Sequence, residues 1–160
     1  MHSIKFSRAA LRLAASLFTC SVIFAQSAQV PSTAGVVQEA ARFDGKWFTK
    51  LTCPEKGGTQ GYTWQFDSVI HNSNFRGEHG TAGEPGYLLI EGKIAGNGSA
   101  KLAASGIVAS RKYARGVFTH KGEEYNYDVK AQFGETEGSG TKSAGLGIVG
   151  RVCTFDFVRQ

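Results

Sequence analysis

The strongest constraint on the fold of this chain is a period of two. Trp47, Thr49, Leu51 and Cys53 occupy alternate positions, with Lys46, Phe48, Lys50 and Thr52 between them. Tyr62, Trp64 and Phe66 alternate with Gln65 and Asp67, and Tyr125, Tyr127, Val129, Ala131 and Phe133 with Asn126, Asp128, Lys130 and Gln132. Cys153, Phe155 and Phe157 alternate with Thr154, Asp156 and Val158. Successive side chains of a strand point to opposite faces, so each run presents one mainly apolar face. All 21 glycines follow residue 28, which suits short strands joined by tight turns. The expected fold is all-β: a single small antiparallel β-barrel of about eight strands.

Between residues 76 and 106 the glycines act as punctuation. Leu88, Ile90 and Ile94 share one face and Ala100, Leu102 and Ala104 another. Asn97-Gly98 between them predicts a two-residue hairpin turn pairing 87–95 with 99–106. Gly80, Gly83, Pro85 and Gly86 mark a loop. A phosphate-binding loop needs Lys-Ser or Lys-Thr and a helix after its glycines, and neither follows. Glu78 and His79, with Glu84 and Glu91 nearby, read as solvated loop residues, since neighbours on a strand face opposite ways and cannot readily share a metal. His71 and His120 stand alone beside turns at 72–74 and 121–122.

The first 28 residues read as a signal peptide, with Lys5, Arg8 and Arg12 before an apolar segment at 13–25 too short to span a bilayer. Cleavage is expected after Ala28, with Ala25 as the alternative. Cys20 lacks the small preceding residues of a lipidation site. Residues 29–42 read as a flexible linker and 43–160 as the β-barrel domain. Without the leader, 15 basic residues face 13 acidic ones, a net charge of +2. The basic residues are scattered apart from Arg111, Lys112 and Arg115, so no nucleic-acid partner is expected. No second apolar segment is long enough to insert in a membrane. The expected location is periplasmic or secreted.

Export leaves two cysteines, Cys53 and Cys153, each on the apolar face of its strand, which predicts one disulfide joining the first and last strands. Neither spacing suits a metal pair, and no metal site or cofactor is expected. No serine occupies a nucleophile elbow, and Gly138-Ser139-Gly140 reads as part of a turn. The carboxylates Glu123, Glu124, Glu135 and Glu137 lie near turns, so no catalytic residue is assigned. The aromatics are the positive signal. Tyr62, Trp64, Tyr125 and Tyr127 are the candidate ligand-binding residues, able to line a pocket or to fill a core.

Asp44-Gly45-Lys46-Trp47 resembles the Gly-x-Trp opening of lipocalin and avidin-like barrels. That resemblance implies a basic residue near the last strand, Arg151 or Arg159, packed on Trp47. The chain lacks the Thr-Asp-Tyr segment and terminal helix of lipocalins. Across nearly the whole domain, "FDGKW", "CP", "GYTWQF", "RGEHGTAGEPGYLLIEGKI", "NGSAKLAASG", "YNYDVKAQF" and "RVCTFDFV" resemble a family of small exported bacterial β-domains. The likeness implies one exported domain with paired cysteines and carries over no catalytic or ligand residue.

The expected role is therefore non-enzymatic binding of a small apolar or aromatic ligand. The alternatives are a protein-interaction or inhibitor module acting through its loops at 72–74, 79–86 and 134–147, and, as a minor one, a hydrolase.

Overall fold

The alternating runs become eight antiparallel strands that close on themselves. The computed structural model describes residues 41–114, 120–142 and 151–160; the expected leader, Cys20, Arg115 and all but the last two linker residues lie outside them. The strands are β1 (Gly45–Cys53), β2 (Tyr62–His71), β3 (Asn74–His79), β4 (Leu88–Lys93), β5 (Ser99–Ile107), β6 (Glu124–Phe133), β7 (Glu137–Lys142) and β8 (Thr154–Arg159). Each pairs with its successor, and β8 pairs with β1 to close the barrel. Closure leaves no unpaired sheet edge.

The expected inward faces are the buried ones. Trp47, Leu51, Phe66, Ile70, Leu88, Ile90, Leu102, Val129, Phe133, Phe155 and Phe157 belong to one core. Apart from Lys142 of β7, the charged side chains of the strands point outward, where Arg76 pairs with Glu78 and with Glu91 at 3.0 Å and Lys101 with Asp128 at 2.8 Å. Thr49 and Ser68 are buried polar exceptions that hydrogen-bond each other at 2.6 Å, which satisfies both hydroxyls inside the core.

Short connections gather at one end of the barrel and long ones at the other. The β2–β3 connection is the tightest, with Asn72 and Ser73 at φ 50° and 63° between the paired residues His71 and Asn74. Positive φ at both central residues gives the twist that a two-residue hairpin needs. Asp44 supports the turn by accepting the N–H groups of Asn72 at 2.7 Å and Ser73 at 3.0 Å.

The Asn97-Gly98 hairpin joins β4 to β5 as expected, but its loop holds three residues. Ala95 N–H donates to Ser99 O and Gly98 N–H to Ala95 O, both at 2.8 Å. Only Gly98 has positive φ, at 84°. Its backbone is pressed against β6, where Phe133 N–H donates to Gly98 O at 2.8 Å, and a Cβ would lie 2.1 Å from Phe133 O. This second contact holds the loop against β6, and no local turn preference could reveal it.

Residues 137–142 correct a second expectation. Gly138-Ser139-Gly140 is not a turn but the middle of β7, with both glycines facing inward opposite Phe157 and Phe155. A Cβ on Gly138 would come within 3.1 Å of the Phe133 ring. Gly138 makes room for the Phe133 ring, and a Cβ on Gly140 would meet Val129 and Ala131 of β6 at 3.1 and 3.2 Å, so this strand has no apolar alternation to read.

The end that carries the short turns is filled. Phe133 and Phe157 lie 4.7 Å apart, Phe75 packs against both, and Trp47 meets Phe133 edge-on at 5.5 Å. Trp47 Nε1 donates to Phe43 O at 2.9 Å, so the buried indole keeps its hydrogen bond. Arg159, opposite Trp47 in the β1–β8 register, donates to the carbonyls of Arg42, Asp44 and Glu135. The last residues of the expected linker are thus tied to this end. Arg151 lies by the other end, near Tyr62.

Cys53 and Cys153 are bonded, with Cα atoms 4.3 Å apart, one residue beyond the Thr52–Thr154 pair that ends the β1–β8 ladder. The bond stands where the seam would otherwise open. Non-reducing peptide mapping should recover the Cys53–Cys153 link, and reduction should lower stability by up to about 5 kcal/mol, the chain-entropy value for a loop of this size. Gly98→Val should cost at least about 1 kcal/mol in chemical denaturation, because it combines positive φ with a clash.

Candidate functional site

At the end with the long connections the interior is not filled. A cavity of about 280 Å³ opens there. Its walls include Tyr62 and Trp64 from the start of β2, Tyr125 and Tyr127 from the start of β6, Lys142 from the end of β7 and Arg151 before β8. All four aromatics singled out in the sequence meet at this cavity. Phe133, on the same face of β6, is in the filled half instead.

Strand geometry explains the grouping. Tyr62 and Trp64 share a face two residues apart and touch at 4.8 Å between ring centroids, while Tyr125 and Tyr127 stack at 5.9 Å with an interplanar angle of 5°. Tyr125 pairs across the ladder with Gly106, where a Cβ would fall 2.5 Å from the tyrosine hydroxyl. Small residues at Gly106 and Ala104 therefore let both β6 rings lie along the wall.

His79 supports the opposite wall. It stacks on Trp64 at 4.3 Å and 6°, and its Nδ1 lies 3.1 Å from Gly86 O. This corrects the expectation of a solvated loop residue: His79 ends β3 and faces inward, half-buried, while Glu78 faces outward to Arg76. The opposite orientation of the two is as the strand period requires. No three His, Cys, Asp or Glu side chains converge as a metal set among the described residues.

The two cations were missed as cavity residues in the sequence. Lys142 Nζ lies 4.3 Å from the centroid of the Tyr127 ring, and the Arg151 guanidinium 4.9 Å from that of Tyr62. Arg151 donates to Gln60 O at 2.6 Å and Tyr113 O at 2.7 Å, so it clamps the β1–β2 and β5–β6 connections together. Tyr113 packs edge-on against Tyr62 at 5.7 Å and continues the aromatic wall. Lys142 closes a glycine-rich strand without apolar periodicity, and its only sequence signal is its even spacing from Gly138 and Gly140.

Burial sets the protonation of this group. It lowers the Lys142 pKa, with the nearby Arg151 charge adding to the effect. Burial raises the phenols of Tyr125 and Tyr127, and that of Tyr62 despite the opposing influence of Arg151. At neutral pH the cavity therefore offers protonated phenol hydroxyls as hydrogen-bond donors beside two cations.

Comparison of the chain with protein-family models, curated proteins and solved structures returned no match. The cavity's geometry is thus the basis for a functional reading.

The raised phenols fix a pH dependence. An unfolded tyrosine ionises near 10.0, while the folded Tyr125 and Tyr127 hold their protons to higher pH. Their contribution is present below pH about 10 and is lost as pH rises toward their folded values. Urea midpoints should fall above pH about 10, and Tyr127→Phe should shallow that fall.

Proposed function

We propose that this chain is an exported, non-enzymatic binding module that holds a small ligand with an aromatic or apolar body in the open half of its barrel. The observation that carries the reading is the division of one interior into a filled end around Trp47 and a cavity lined by Tyr62, Trp64, Tyr125 and Tyr127. Aromatic walls with a few placed polar groups are the usual chemistry of a small-molecule site. A closed eight-stranded barrel is wide enough to hold one small ligand.

Export rests on the basic and apolar first 28 residues, and the disulfide fits an oxidising compartment. The charged outward faces of the strands suit a barrel working in water, with no membrane insertion. The non-enzymatic reading rests on the commitments of the reactive groups at the cavity: Cys153 is held in the disulfide, Glu123 accepts the His120 N–H, and Arg151 donates to two backbone carbonyls. No nucleic-acid partner, metal or cofactor enters this reading.

A thermal-shift screen with aromatic and apolar small molecules should give stabilising hits. Trp64→Ala should weaken their binding while leaving the barrel folded. Trp47→Ala should instead lower stability by about 3 to 5 kcal/mol, because a fully buried ring is removed from the filled end. Absence of any hit would count against the cavity as a ligand site and direct attention to the loops as a protein-binding surface.

A further inference from the structure

The half-buried charges at the cavity are cations, and the two carboxylates that border it, Glu123 and Glu124, are exposed. Lys142 and Arg151 both border it, and among the described residues neither takes part in an ion pair; the three ion pairs present lie elsewhere on the barrel. Glu123 also lines the cavity, but its Oε2 accepts the His120 N–H at 2.9 Å. Arg151 is occupied by two carbonyls, whereas Lys142 has the Tyr127 ring as its neighbour. A half-buried ammonium over a ring face keeps a cost of desolvation that a π contact offsets only in part. An anion beside it would offset the rest.

We infer that the ligand is an aromatic carboxylate of one or two rings, its ring among Tyr62, Trp64, Tyr125 and Tyr127 and its carboxylate on Lys142. This rests on the reading of the cavity as a ligand site and adds the ligand's charge and size. A cavity of about 150 Å³ accepts a benzene ring, so 280 Å³ accommodates a one- or two-ring molecule. Both carboxylate oxygens need donors, and the protonated phenols of Tyr125 and Tyr127 line the same cavity as the ammonium. The lowered Lys142 pKa agrees with an ammonium waiting for a counter-charge.

The test compares naphthoate with its neutral analogue naphthalenemethanol by titration calorimetry, using the folded wild type, Lys142→Met and Lys142→Arg. The expected result is that wild type and Lys142→Arg bind naphthoate about tenfold or more tightly than the alcohol, as a charge-assisted hydrogen bond gives. Lys142→Met should lose that preference while keeping its affinity for the alcohol, which also shows that it is folded. Equal binding of acid and alcohol by wild type would overturn the anionic ligand and leave the cavity reading standing. A preference for the acid that survives in Lys142→Met would overturn the assignment of the carboxylate to Lys142. Binding of neither compound below about 1 mM would overturn the cavity reading and this inference with it.

Discussion

The pairing of β1 with β8 is the interaction on which the rest of this structure depends. Without it the eight strands form an open meander with two exposed edges, and the inward faces have no shared interior. The seam is held at both ends by different means. At one end the Cys53–Cys153 bond continues the ladder covalently. At the other, Arg159 draws together the carbonyls of Arg42, Asp44 and Glu135, and Asp44 reaches on to the β2–β3 turn. The filled end is thereby tied to the seam through a single acidic side chain and a single guanidinium.

Once the barrel is closed, the interior is finite and side-chain size decides how it is shared. Phe133, Phe155 and Phe157 stand opposite the glycines of β7 and, with Phe75 packed on Phe133 and Phe157, fill one half. In the other half the large residues are tyrosines and a tryptophan, whose polar tips do not belong in a dry core. They line the walls instead, and the connections at that end, rather than tight turns, border the opening. The same alternation thus produces a stability element and a cavity, separated only by position along the strands.

Much of this was legible in the chain itself. The inward sets of β1, β2, β6 and β8, the disulfide and the grouping of four aromatics follow from a period of two, which survives folding because the strand geometry is local. What stayed hidden depends on contacts between distant strands. Gly138 and Gly140 read as turn residues because what they leave room for, the Phe133 ring and the side chains of Val129 and Ala131, belongs to the neighbouring strand β6. The loop at Gly98 is held by Phe133, far along the chain. Lys142 and Arg151 join the cavity only when β7 and β8 take their places beside β6 and β1, and His79 becomes a stacking partner only when β3 lies beside β2.

The central claim is that the interior is divided into a closed half and an open half, and the chain's two tryptophans report on one each. Their indole N–H groups can be followed separately by hydrogen exchange in nitrogen-labelled protein, with Trp64→Phe fixing the assignment. Trp47 Nε1, buried and bonded to Phe43 O, should exchange only through global opening, while Trp64 Nε1 at the cavity should exchange far faster. Equal protection of the two would mean that the interior is filled from end to end, and would contradict the account.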